Sequence, residues 1–207
     1  AQRSLQPLQS MTEMYSRIAR GGKDLGKSQN EVLAFTEAVG KAVSVQGAKP
    51  AQAAGALMQL GQALGAGIVR AEEFNSIVEG TPYILQVVAN NMDKAGGSIS
   101  KLRAQMLAGN LTSKDFFEAF MKGLPEIEKN FAKMPMTFSN GFTIIENSMI
   151  RFIGKLNESS TIGDGFARVA MKISAALDWL GTNADKVVGT LATMGATIAT
   201  LKLGLFL

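Results

Sequence analysis

Apolar residues in this chain recur at intervals of three and four, and nearly every such run is closed by glycine and reopened by Ser, Thr or Pro. That spacing returns once per helical turn of about 3.6 residues, so it selects helices, and no strand-like alternation bounded by hairpin turns competes with it. A first helix is expected from about Leu5 to Arg20, with Leu8, Met11, Tyr15 and Ile18 on one side, broken by Gly21-Gly22 and Gly26. Ser28-x-x-Glu31 has the form of a capping box, in which two side chains satisfy two free backbone N–H groups at a helix start. The helix it opens runs through Val32, Phe35, Val39 and Val43 and ends near Gly47. Pro50 then suits the first position of the next helix, where its missing N–H costs nothing.

The stretch from Ala53 to Gly80 reads as two helices around a Gly65-Ala66-Gly67 break, with Leu57, Leu60, Leu64 and Ile68 as one stripe and Phe74, Ile77 and Val78 as the next. Thr81 is placed to cap, and Pro82 to start, a helix carrying Ile84, Leu85, Val88 and Met92 that Gly96-Gly97 stops. Ser98 caps a short helix to about Ala108, Gly109-Asn110 turns the chain, and Thr112-x-x-Asp115 opens Phe116, Phe117, Phe120 and Leu124. Around Pro125-Glu126 and Lys133-Met134-Pro135 the direction changes again.

The expected fold class is all-α, a compact multi-helix domain followed by long, heptad-patterned apolar helices. Four segments follow: 1–27, an N-terminal helix and linker; 28–135, the compact domain; 136–160, an amphipathic helix; 164–207, a long apolar heptad helix. Opening on Ala1 and stopping within Leu-Gly-Leu-Phe-Leu, the chain reads as part of something longer, with no signal peptide at its front.

Little in the chain suits catalysis. Without cysteine there is no disulfide framework, thiolate nucleophile or thiolate zinc site, and without histidine the commonest general base and metal ligand is missing. Of the close acid pairs, Glu72 and Glu73 point about 100° apart on a helix, and Glu126, beside Glu128, sits where acids favour a helix start. Neither pair reads as a catalytic dyad, and no cofactor or metal site is expected. The 11 methionines suit irregular helix contacts better than redox or metal chemistry. A net charge of +4 is spread out; the cluster Arg17, Arg20, Lys23 and Lys27 has no aromatic platform and is explained by the helix C-terminus, so no specific nucleic acid is expected.

Beyond Pro135 the pattern changes. Ile145, Met149, Phe152 and Leu156 alternate at four and three, the spacing of a seam that meets a partner helix. Asn157-Glu158-Ser159-Ser160 and Gly163 interrupt it. A seam restarts at Phe166 and continues through Ala170, Ile173, Leu177, Leu180, Ala184, Val187, Leu191, Met194, Ile198, Leu201 and Leu205, a helix of roughly 60 Å if unbroken at Gly181-Thr182-Asn183. Val187 to Leu207 carries Lys202 as its one charge, about the length that crosses a bilayer. The segment therefore suits either an oligomeric coiled coil or a membrane-inserting, channel-forming helix.

The Ala53–Gly80 wording resembles the N-terminal conserved region of phage tail tape measure proteins, in which a helix ending in LxQALxxG precedes an xxEEFNSIxE helix; here the second motif falls on Glu73, Phe74, Asn75, Ser76 and Ile77. Further echoes follow in family order: Met14 to Ala19, the Gly-Lys-Ser-Gln-Asn-Glu-Val capping box, Gly109 to Thr112, Leu124 to Glu128, and Phe131 to Pro135 followed by Thr137-Phe138. Thr81-Pro82-Tyr83 departs from the family's Pro-rich loop at that turn alone. The resemblance implies a structural, non-enzymatic virion protein in the tail tube lumen that sets tail length and leaves ahead of the DNA, reaching the host inner membrane during infection. The partners it implies are tail tube and tail tip or baseplate proteins, a tail assembly chaperone, and further copies of itself as a trimer or hexamer.

Overall fold

Nine helices carry the chain through the described part of the computed structural model, which comprises residues 1–48 and 50–157 and isolated positions between 171 and 189. They are α1 (Leu8–Leu25), α2 (Gln29–Gln46), α3 (Pro50–Gly65), α4 (Ala71–Gly80), α5 (Pro82–Asn90), α6 (Ile99–Leu107), α7 (Ser113–Lys122), α8 (Leu124–Ala132) and α9 (Phe138–Asn157). A 3-10 turn at Gln2–Ser4 precedes them. Among the described residues the only β pairing is one isolated bridge, Ile68 to Thr112.

Local chemistry accounts for most boundaries. Ser28 and Glu31 form the capping box, with Ser28 N donating to Glu31 Oε2 at 2.8 Å and Glu31 N donating to Ser28 Oγ at 3.3 Å. Those bonds from Ser28, backbone first and then hydroxyl, hold the Glu31 carboxyl below its ordinary pKa. Gly47 ends α2 at φ +70°, a left-handed conformation that costs glycine nothing. Ser98 and Thr112 cap α6 and α7 by accepting from Lys101 N and Asp115 N.

Leu124, expected on the helix of Phe116 and Phe120, instead begins α8 after Gly123, and three further departures have a visible cause. First, α1 continues through Gly21-Gly22 to Leu25, because Gly21 is a packing residue: a Cβ there would lie 2.6 Å from the Cα and O of Gly65 on α3. Second, Thr81 occupies the cap position of α5 but its hydroxyl makes no capping bond; it is buried without a hydrogen-bond partner. Third, α5 stops at Asn90, where Asn91 Nδ2 donates to Val87 O at 2.8 Å, so Met92 lies in the following turns.

Residues Ala1–Arg151 form one compact unit, which takes in α1 and most of α9 as well as residues 28–135. Its core draws on every helix from α1 to α8, including Met14 and Ile18 of α1, Phe35 and Val39 of α2, Leu57, Leu60 and Leu64 of α3, and Phe74 and Ile77 of α4. Of the first expected stripe, Ile68 lies outside the helix and is half-buried, while its neighbour Val69 is buried and donates to Leu111 O at 3.1 Å. Phe35 stacks on Phe117 at 4.5 Å and meets Phe120 tilted at 5.1 Å, which binds α2 to α7. Burying each such large side chain stabilises the fold by about 1.5–3 kcal/mol.

The second unit spans Phe152–Leu207. Met171 and Trp179 are exposed, and the side chains of Thr182 and Asn183 bond back one turn to Asp178 O and Trp179 O, both at 2.8 Å. The twelve seam residues Phe166, Ala170, Ile173, Leu177, Leu180, Ala184, Val187, Leu191, Met194, Ile198, Leu201 and Leu205 fall outside the described residues. So does the membrane-length stretch Val187–Leu207, Gly189 apart. Among the described residues no helix is long and apolar enough to cross a membrane.

Candidate functional site

Among the described residues the most extensive helix contact lies between α1 and α3. Gly61 and Gly65, four apart, share one face of α3 and meet α1 at Arg17, with Gly21 one turn further along. Removing the side chains lets the two backbones approach, and that approach leaves polar groups along its edge. Arg17, Arg20, Gln59, Gln62, Glu72 and Glu73 line the resulting groove. Of the basic cluster, Lys27 is drawn away to Glu118 Oε1 at 3.0 Å and sits 5.4 Å over the Phe117 ring. Arg17, Arg20 and Lys27 therefore do not form one cationic face.

The motif around α4 is structural in each of its residues. Glu73 Oε2 accepts from Arg70 N at 3.2 Å and so closes the start of the helix. Phe74 and Ile77 are fully buried in the core, Asn75 Oδ1 accepts from the Arg103 guanidinium on α6, and Ser76 is half-buried. The preceding loop is zipped to the start of α7: Ser113 N donates to Gly67 O at 3.1 Å and Ser113 Oγ to Ala63 O at 2.6 Å. The motif thus encodes a helical corner held from both sides.

Phe131 and Pro135 mark a second junction. The ring of the half-buried Phe131 lies 5.8 Å from Lys41 Nζ, which also bonds Glu37 Oε1 at 3.0 Å and Glu128 Oε1 at 2.7 Å, tying α2 to α8. Burial alone would lower the Lys41 pKa, but the bonds to Glu128 and Glu37 outweigh it and hold the pKa above its ordinary value. Pro135 is exposed and lines a cleft with Gln6, Ser44, Thr137 and Asn140.

The two close acid pairs are spent on structure or face solvent. Glu72 and Glu126 are exposed, Glu128 is paired with Lys41, and among the described residues no group of acids could hold a metal.

What the geometry offers instead is joined helices with specific corners, and the family comparison agrees with that. The tape measure protein family model matches residues 1–158. The chain belongs to the tape measure protein family. No curated protein and no solved structure matches it significantly. The matched span of this tape measure protein covers the whole compact unit, and the family is a structural one rather than an enzyme class.

Three residues of the tape measure unit escaped the sequence reading. Gly21 looks like a helix stop, although the Gly61-x-x-x-Gly65 pair on α3 was a legible hint of close packing. Lys41 looks like a solvated charge. Asn147 of α9, 1% exposed, looks like part of a polar helix face, yet its Oδ1 accepts from Leu8 N at 2.7 Å and its Nδ2 donates to Gln6 O at 2.8 Å.

Proposed function

We propose that this chain is part of a phage tail ruler: it lies in the tail tube lumen, sets tail length during assembly, and leaves ahead of the DNA at infection. The family match over residues 1–158 is the observation that carries this reading. Geometry makes it workable, because a helix adds a fixed rise of about 1.5 Å per residue and tube growth can stop where the helix is covered. On this reading the compact unit contacts tail tip or baseplate proteins and the assembly chaperone, and the apolar sequence beyond it meets the tube wall. The test is an immunoblot of purified virions before and after ejection is triggered by receptor. Chain present before and lost from emptied tails supports the reading; chain absent from virions, or retained in emptied tails, overturns it.

The low charge of Val187–Leu207 supports a second reading, insertion into the host membrane after release. Replacing both Ile198 and Leu201 by Asp then abolishes flotation with liposomes, and unchanged flotation sinks the idea.

A further inference from the structure

The groove between α1, α3 and the start of α4 is lined almost wholly by polar side chains and glycine, and the fold makes no use of most of them. Arg17 and Arg20 stand on the α1 side, Gln59 and Gln62 on α3, and Glu72 and Glu73 on the first turn of α4. Glu73 closes its own helix by accepting from Arg70 N. Among the described residues the side chains of Arg17, Arg20, Gln59, Gln62 and Glu72 make no hydrogen bond or ion pair. Elsewhere in the unit such groups are spent: Lys27 pairs with Glu118, Lys41 with Glu37 and Glu128, and Gln46 bonds both Gly80 O and Tyr83 N.

Packing holds part of this groove in place. Gly61 leaves room for the stem of Arg17: a Cβ there would come within 3.2 Å of Arg17 Cδ and 3.3 Å of its Cβ. Arg17 is half-buried with its stem against α3, and its guanidinium keeps its donors to spare. Gln59 lines the same groove and is half-buried too. A polar group in that position gives up part of its hydration and gains no bond in return. At about 700 Å³ the groove is as large as sites that hold drug-sized ligands. Those sites are predominantly apolar, whereas this one asks for a hydrogen bond or a charge along each wall.

We propose that this groove binds an extended segment of another protein, with an acidic side chain against Arg17 and Arg20 and a basic one against Glu72. Charge decides against a nucleic acid, because phosphates drawn to the two arginines would also face Glu72 and Glu73. The glutamines decide for an extended segment. Each primary amide offers two N–H donors and an acceptor, and an extended main chain has unmet N–H and C=O groups for them. A helix has already spent its own. Walls of opposite sign also fix the direction in which the segment runs. The proposal names a surface of the compact unit and does not rest on the ruler reading. Chain absent from virions leaves it standing, and a groove that binds nothing leaves the ruler standing.

The probe is a displayed library of random peptides of about eight residues, too short to form a stable helix alone. Selection on the full chain is paired with counter-selection on a variant carrying both Arg20→Glu and Glu72→Lys, which isolates peptides that read the groove. Both positions are exposed and the exchange leaves the net charge unchanged, so the variant should keep the parent's circular dichroism spectrum and urea midpoint. The selected peptides should carry both an acid and a base and bind the variant at least about tenfold more weakly. Exchanging the acid and base within a peptide should restore its binding to the variant. Peptides of one charge sign, equal binding to parent and variant, no recovery on exchange, or a selection that yields nothing overturns the proposal. Where the double exchange disturbs the fold, Arg20→Gln and Glu72→Gln are tested singly against peptides selected on the parent. Each should weaken binding severalfold, and unchanged binding in both overturns the proposal as well.

Discussion

Glycine does opposite things at two positions in this unit, and the difference is measurable. At Gly21 a Cβ would strike the backbone of Gly65 at 2.6 Å, and backbone cannot swing aside as a flexible side chain can. Gly21→Ala should cost about 1–3 kcal/mol by forcing α1 from α3. At Gly55 of α3 a Cβ meets nothing within 4 Å, so Gly55→Ala should stabilise by up to about 1 kcal/mol through helix propensity. Urea denaturation of the two variants gives shifts of opposite sign; shifts of the same sign would contradict the packing role. Lys41 makes the second test. Its folded pKa is raised, so its contribution is complete below the unfolded value of about 10.4 and is lost as pH rises through the folded value. Lys41→Met should therefore be less stable than the parent at pH 8 by about 1 kcal/mol, allowing for the exposed partners. That gap should close at more alkaline pH; a constant gap would mean that its packing, not its charge, matters.

Elements differ in how far their limits can be read locally. The starts of α2, α6 and α7 were legible because Ser28, Ser98 and Thr112 bond N–H groups three residues on, and the cap lies within the sequence window. The end of α1 was not legible, because what keeps Gly21-Gly22 helical is Gly65, on another helix. Thr81 was misread for the same kind of reason: its site is a good cap by type, but the hydroxyl is buried away from any N–H. The α4 motif was recognisable as wording, while its role as a corner depends on Arg103 and Ser113, far along the chain. Helix α9 is the extreme case, held through residues 139 and 141 positions distant. Asn147→Ala leaves Leu8 N and Gln6 O without that partner and should cost about 1–3 kcal/mol. Hydrogen exchange should then show α9 amides losing protection while α2 and α3 keep theirs; unchanged protection in α9 would show that another contact holds it.

On the scale of the whole molecule, the chain joins a corner-rich helical unit to a sequence with one heptad phase. The family match lies over the compact unit, and on the proposed ruler reading the heptad sequence beyond it supplies length. These roles predict different responses to deletion. Removing residues 170–197, four whole heptads, preserves the seam phase and the compact unit, so assembly should proceed with a shorter ruler. The decisive measurement is tail length by electron microscopy across virions with whole heptads deleted from, or duplicated within, residues 166–205. A linear dependence of about 1.5 Å per residue is expected, so the four-heptad deletion shortens the tail by about 42 Å. Tails of unchanged length across the series would contradict the account.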